Sequence, residues 1–172
     1  MSDNYSNAAS ARAYYEARGY TTPDNVTDDA AMTAALLVAS DYIDGLYASL
    51  FPGVKVGFRA QLREWPRTGA IDWLGYVIQP TEFPPELLNA VYEAALREIT
   101  TPGSLTTDVK LNEVVHSVTV EGAVSVDFAS SRETFGVDDL QLHIPIIDRI
   151  IAPILTGNNA NTSGLSGATV RV

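Results

Sequence analysis

TDDAAMTAALLVASDYIDGLYASLFPG, residues 27–53, is the stretch that decides the fold. Its apolar positions Met32, Leu36, Leu37, Ile43, Leu46, Tyr47 and Leu50 recur at close to the 3.6-residue period of a helix, which predicts one long amphipathic helix. Thr27 is placed to cap it. Asp28 and Asp29 bring carboxylates to the positive end of the helix dipole, and Pro52-Gly53 stops the run.

Working outward, Ser6 or Asn7 caps a shorter helix over residues 8–18, ended by Gly19 as a C′ residue. Downstream, residues 51–85 carry Pro52, Gly53, Gly57, Pro66, Gly69, Gly75, Pro80, Pro84 and Pro85, too many breakers for one long element. A loop of that length inside a compact domain is unusual, so it is either functional or holds a short helix over residues 58–64. Arg59, Arg63 and Arg67 would line one face of such a helix, although Pro66 ends it before Arg67. Pro84-Pro85 and Glu86 open a helix running to about Ile99 through Leu87, Leu88, Val91, Tyr92, Ala95 and Leu96, and Pro102-Gly103 ends it. Residues 109–119 and 123–128 alternate apolar with polar around Glu121-Gly122, a β-hairpin spanning about residues 109–129. Asp138 and Asp139 start a last helix with the stripe Leu140, Ile144, Ile147, Ile150, Ile151 and Ile154, in which Pro145 and Pro153 are awkward. From Thr156 to Val172 the chain holds small and polar residues with no acidic side chain, and it builds no core by itself. The fold class is therefore mainly α (α+β): a small helical bundle over residues 1–155 with one β-hairpin, then an extended C-terminal arm over residues 156–172.

Composition narrows the chemistry. The 172 residues suit one domain, and 46 % hydrophobic residues supply a sizeable core. Cysteine is absent and there are two histidines, which leaves no disulfide, no thiolate nucleophile and no thiolate or histidine-rich metal cage. Asp and Glu number 21 against 11 Lys and Arg, a formal charge of -10 that repels phosphate at long range. No run reaches the ~18 apolar residues of a membrane helix, and residues 1–14 lack the basic and apolar regions of a signal peptide, so a soluble cytosolic product is expected. The glycosylation sequons at Asn25 and Asn161 are then coincidental.

No phosphate-binding glycine motif occurs, and Lys55 and Lys110 lie outside any Gly-rich strand-to-helix turn. Gly164-Leu165-Ser166-Gly167 only approximates a nucleophile elbow and sits in the tail. His116 and His143 lack partners at ligand spacing. Asp28-Asp29 and Asp138-Asp139 could pair as acid and base or hold a divalent ion, but helix capping accounts for both. Tyr14, Tyr15, Tyr20, Tyr42 and Tyr47 could stack bases, yet without interleaved basic residues they suit core and subunit contacts. Arg59 and Arg63 are read either as partners of the abundant carboxylates, within or between subunits, or as a DNA contact. No catalytic residue, metal or cofactor is expected.

Trp65-Pro66-Arg67-Thr68-Gly69, with Asp72, Val77-Ile78 and Phe83-Pro84-Pro85-Glu86-Leu87, resembles a small protein of tailed-phage genomes labelled DnaT-like single-stranded-DNA-binding protein. It is similar to head-to-tail adaptor (connector) proteins. The resemblance also takes in residues 8–19, the Ala31 to Tyr47 helix, the hairpin and the tail ending Val170-Arg171-Val172. It departs in carrying Ile71 and Trp73-Leu74 where polar residues are expected. The resemblance implies a structural virion protein of the neck: a ring of itself, usually twelve copies, below the portal protein and above a tail or nozzle protein, with double-stranded DNA passing through an acidic lumen. The C-terminal arm would dock on the portal through Gly164, Leu165, Ser166, Gly167, Ala168, Val170, Arg171 and Val172. Trp65, Pro66, Arg67 and Gly69 form a structural turn that aims the indole into the core or a neighbour. The rivals are a DnaT-like single-stranded-DNA-binding replication accessory and, more remotely, a small enzyme with an unrecognised acidic site.

Overall fold

The computed structural model describes residues 4–20, 28–106, 117–120, 124–127 and 144–156. The chain divides into two compact units, residues 1–105 with 143–172, and residues 106–142. The first unit is helical. Helix α1 (Ala8–Ala17) is capped by Asn7, whose side chain accepts from the Ser10 N–H at 2.9 Å. It ends where Gly19 takes φ +66°, a left-handed conformation that suits glycine, and Tyr20 N–H closes onto the Tyr15 carbonyl at 3.0 Å.

Helix α2 (Asp29–Tyr47) is the predicted long helix, and Asp28 rather than Thr27 caps it, its carboxylate accepting from the Ala30 N–H at 2.9 Å. Thr27 lies outside the described residues. Met32, Ala35, Leu36, Ala39, Ile43 and Tyr47 are buried along one stripe. A tight turn over Ala48–Leu50 follows before Pro52. Helix α3 (Pro85–Thr100) starts with proline at its first position, where the missing N–H has no helical partner to lose. It turns Leu87, Ala90, Val91, Ala94 and Ala95 inward. The alanines let α2 and α3 approach closely, and this is the most extensive helix pairing among the described residues. Fully burying a side chain such as Leu36, Ile43 or Leu87 contributes about 1.5–3 kcal/mol.

Helix α4 (Pro145–Ile151) packs on α3 through Ile147 and Ile151, with Ile154 buried in the turn that follows. It begins later than the sequence stripe suggests. Ile144 is extended (φ -114°, ψ 106°) and Pro145 is the first helical residue, so the proline that looked awkward is the helix start. Asp138 and Asp139 lie outside the described residues.

The breaker-rich stretch between α2 and α3 is ordered without a long element. Strands β1 (Val54–Lys55) and β2 (Arg67–Thr68) pair antiparallel, with Lys55 opposite Arg67, and Ile71 bridges Val77. The expected helix over residues 58–64 is only a turn over Phe58–Ala60. Gln61 stops it: its backbone is extended (ψ 122°), and its side-chain Nε2 donates to the carbonyls of Arg63 at 2.9 Å and Pro66 at 3.0 Å, a competing network that helical geometry would break. Arg59, Arg63 and Arg67 therefore share no helix face.

In the second unit, strands β3 (Ser117–Val120) and β4 (Val124–Asp127) form an antiparallel hairpin with Ser117 opposite Asp127 and Val120 opposite Val124. The hairpin falls where its alternation places it.

Candidate functional site

The Trp65–Gly69 run sits at the centre of a dense polar and aromatic network. Trp65 is 1 % exposed, its ring meeting Phe51 edge-on at 5.7 Å. Its backbone N–H donates to the Tyr5 hydroxyl at 3.2 Å, and that hydroxyl donates to Asp44. The Trp65-Pro66 peptide is cis, and Gly69 has φ +70°.

Arg67 is buried, and its guanidinium holds three segments together. Nε donates to the Pro52 carbonyl at 2.8 Å, Nη2 to the Gly53 carbonyl at 2.8 Å, and Nη1 to the Glu64 carboxylate at 2.8 Å. A rigid fork of donors suits this task better than an ammonium. Lys55 meets the other Glu64 oxygen at 3.1 Å. The backbone passes so close that a Cβ on Gly53 would lie 2.3 Å from the Thr68 carbonyl oxygen, and Gly53 has φ +70°. Pro52-Gly53 is thus both the end of the α2 segment and the seat of the Arg67 clamp.

Arg63 is held as firmly. Nη1 donates to Asp41 at 2.7 Å and to Asp44 at 3.2 Å, two carboxylates one helical turn apart on α2. Burial pushes the Asp44 carboxyl above its ordinary range, opposed by the Tyr5 hydroxyl and the Arg63 guanidinium. Of the two expected subunit or DNA contacts, Arg63 is an internal partner of carboxylates and only Arg59 is exposed. The Tyr5–Asp44–Arg63 network had a signal in the sequence, the Asp41/Asp44 spacing on the longest helix, but nothing pointed to Tyr5 as its third member.

The tyrosines divide similarly. Tyr14, Tyr15 and Tyr47 are buried, Tyr15 donating to the Tyr92 carbonyl at 2.7 Å and Tyr14 to Glu93 at 2.8 Å, while Tyr20 is exposed. Asp28 and Asp29 serve the α2 N-terminus, as capping requires. No group of three or more acidic or histidine side chains among the described residues could hold a metal ion. His116, His143 and the arm residues Gly164, Leu165, Ser166, Gly167, Ala168, Val170, Arg171 and Val172 lie outside the described residues. Thr156, read as the first arm residue, is tied to the bundle: its N–H and its hydroxyl both donate to the Leu50 carbonyl, at 2.7 and 2.6 Å.

The same loops carry a concentration of apolar side chains facing water. Phe58 is 76 % exposed, Leu62 69 %, Tyr76 69 %, Val77 64 % and Leu74 62 %, with Val54, Ile71 and Trp73 also exposed. Phe58 holds φ +50°, a left-handed conformation costly for a residue with a bulky side chain. Scattered exposed apolar residues are ordinary, whereas this many within one ordered loop region are not. Among the described residues, no helix is long and apolar enough to cross a membrane.

Comparison with known proteins places this arrangement in a family. No curated protein and no solved structure matches the chain. One family model spans it entirely, residues 1–172, including the Trp65–Gly69 clamp, the helices and the tail; the chain belongs to the family described as "putative DnaT-like ssDNA binding protein".

Proposed function

We propose that the chain is a structural assembly subunit, a head-to-tail adaptor that forms a ring with copies of itself between portal and tail and catalyses nothing. The observation that carries this reading is the exposed apolar loop surface of residues 54–83, displayed on a backbone that Arg67, Gln61 and Asp72 hold in place. An ordered apolar surface costs little entropy to dock. The formal charge of -10 suits a lumen that lets DNA slide past without holding it. The place in a virion neck, the twelve copies and the partners above and below rest on the likeness of the Trp65–Gly69 run and tail to adaptor proteins.

Native mass spectrometry of the chain mixed with its portal tests the proposal. Many copies per portal, near twelve, are expected; one copy per portal refutes it. Removing residues 157–172 should leave the melting transition almost unchanged and abolish attachment to the portal. A truncated chain that attaches normally rules out the docking arm.

A second reading, single-strand binding, is favoured by the description of the family itself. Sequence-independent single-strand binding draws its affinity from phosphate contacts by Lys and Arg and from stacked aromatics. Arg63 and Arg67 are committed to carboxylates and carbonyls. Exposed Phe58 beside exposed Arg59 is the pair of described residues that such a binder would use. A tight gel shift that weakens steeply with salt and disappears in Arg59→Ala would establish this reading over the adaptor.

A further inference from the structure

Residues 4–7, ahead of α1, are tied by side-chain bonds to three parts of the first unit. Tyr5 N–H donates to Ser40 Oγ on α2 at 3.4 Å, and the Tyr5 hydroxyl donates to Asp44 one turn along the same helix. Ser6 Oγ shares a hydrogen bond of 2.6 Å with the Tyr92 hydroxyl on α3. The third attachment is to the loop between α2 and α3. The Tyr5 hydroxyl accepts from the Trp65 N–H at 3.2 Å, and its ring meets Phe83 edge-on at 5.9 Å. The Arg63 guanidinium lies 5.9 Å from the centre of that ring, within cation–π range. One phenol thus joins α2 to the loop and supports the arginine that makes the same join through Asp41 and Asp44. Tyr5 is buried as deeply as a core residue although it belongs to no helix or strand.

The tip of that loop, residues 56–64, is braced from within and pivots on a fixed base. Gln61 Oε1 accepts from the Gly57 N–H at 2.9 Å while its Nε2 donates to the Arg63 and Pro66 carbonyls. The base is held by Trp65 against Phe51 and by Arg67 on the Pro52 and Gly53 carbonyls. Asn4 and Tyr5 line a cleft of about 430 Å³ together with Val56, Leu62, Pro66 and Phe83, space that lets strap and tip part without displacing a helix. We infer that residues 4–7 are a strap: with Tyr5 seated the tip is closed onto α2, and with the strap released the tip swings away on its base while the helices stay packed. Segments held by a few side-chain bonds are where openings smaller than global unfolding begin. Exposed Phe58 and Leu62 ride on the tip, so the strap decides whether that part of the apolar surface has a fixed position. This last consequence rests on the proposal that the surface docks, whereas the strap itself does not.

The absence of cysteine makes spin labelling of the full chain direct. Thr33→Cys with Leu62→Cys reports the tip against α2, and Thr33→Cys with Thr100→Cys reports α2 against α3; all three positions are exposed. Electron double resonance should give one narrow distance for each pair in the otherwise unaltered chain. Tyr5→Ala should raise the population at a second, longer tip distance about tenfold, the effect of losing one hydrogen bond of ordinary strength, and leave the helix pair narrow. Ser6→Ala acts at α3, away from the loop, and should raise the same population by a smaller factor. Tyr5→Phe keeps the ring and should fall between them, so the comparison stands even if Tyr5→Ala does not fold. Three results overturn the inference. A single tip distance in all three variants means that the loop holds itself. Broadening of both pairs together means that Tyr5 belongs to the cooperative core. A split with the Tyr5 variants and none with Ser6→Ala means that one phenol, and not a strap, fastens the tip. Portal attachment that stays normal in a variant with a split tip distance leaves the strap standing and counts against the docking surface.

Discussion

Arg67 shows how far a residue's role departs from its charge. In the sequence it extends a basic series with Arg59 and Arg63; in the structure its five N–H donors go to the carbonyls of Phe51, Pro52, Gly53 and Glu64 and to the Glu64 carboxylate, and none is left for phosphate. Removing the guanidinium leaves the Pro52 and Gly53 carbonyls without their donor at roughly 1–3 kcal/mol each, while Glu64 keeps Lys55, so Arg67→Ala is expected to cost about 3–5 kcal/mol. Trp65→Ala, which empties a fully buried indole site against Phe51, should cost about as much, roughly 3–5 kcal/mol. Urea denaturation of both variants checks this. Because both side chains brace the Phe51–Gly53 segment, the double variant should lose less than the sum of the two. A midpoint unchanged in Arg67→Ala means that the clamp holds nothing. Gly53→Ala makes the same point through the backbone: its Cβ would meet the Thr68 carbonyl oxygen at 2.3 Å, and it should destabilise more than a typical surface change of about 0.5 kcal/mol.

Among elements, the 71–77 turn is organised by one side chain. Asp72→Ala withdraws the acceptor of two backbone N–H groups, so the amides of Leu74 and Tyr76 should exchange with solvent much faster while the global melting point stays within the range of a surface change, about 0.5 kcal/mol. Unchanged exchange at both amides refutes the assignment. The long elements around this turn were legible in the sequence because their information is periodic and local. The long α2 helix, the Gly19 stop and the Pro85 start are found where the pattern puts them, and Met32, Leu36, Ile43 and Tyr47 of the stripe are buried, whereas Leu37 and Leu50 face solvent and Ala35 and Ala39 take the close-packed positions instead. The failures share a physical origin. Residues 58–64 have helical spacing of their arginines, but Gln61 bonds the backbone sideways and Arg63 and Arg67 find partners far away in sequence. The α4 stripe runs back to Leu140, yet the extended Ile144 and Pro145 set the start. Side-chain bonding to distant carbonyls has no period, and so the loop cluster and the place of Tyr5 beside Asp44 and Arg63 were not foreseeable from spacing. Pro66 and Gly69 mark the Trp65–Gly69 turn in the sequence, whereas its support, Arg67 bonded to Pro52 and Gly53, joins residues fourteen and fifteen positions apart that no local pattern links.

At the scale of the whole molecule, the bundle is stitched by phenols that join α1, α2, α3 and α4. Tyr5 bonds Asp44, Tyr14 bonds Glu93, Tyr15 bonds the Tyr92 carbonyl and Tyr47 bonds Asp148. Burial is the largest cause holding the phenols of Tyr5, Tyr14, Tyr15 and Tyr47 well above the ordinary tyrosine range, reinforced by neighbouring carboxylates, and it pushes Tyr42 up to about 12. In the unfolded chain these groups ionise at about pH 10. Above that value the unfolded chain gives up protons that the folded chain retains, so the native state binds more protons and stability falls as pH rises. Below about pH 10 the full contribution is present. The best-buried pair, Tyr15 and Tyr47, alone gives a slope of about 3 kcal/mol per pH unit, enough to exhaust a typical stability of about 5–15 kcal/mol within a few units. The expected outcome is a cooperative alkaline transition in which phenolate absorbance of the buried tyrosines and loss of helical circular dichroism coincide, above about pH 10. Tyr15→Phe, which removes one such proton along with its bond to the Tyr92 carbonyl, should shallow the alkaline slope even where it lowers stability at neutral pH. Phenolate absorbance that rises fully near pH 10 while the helices stay intact would mean that the phenols are accessible to solvent, and that the stitching of the bundle does not depend on their protons.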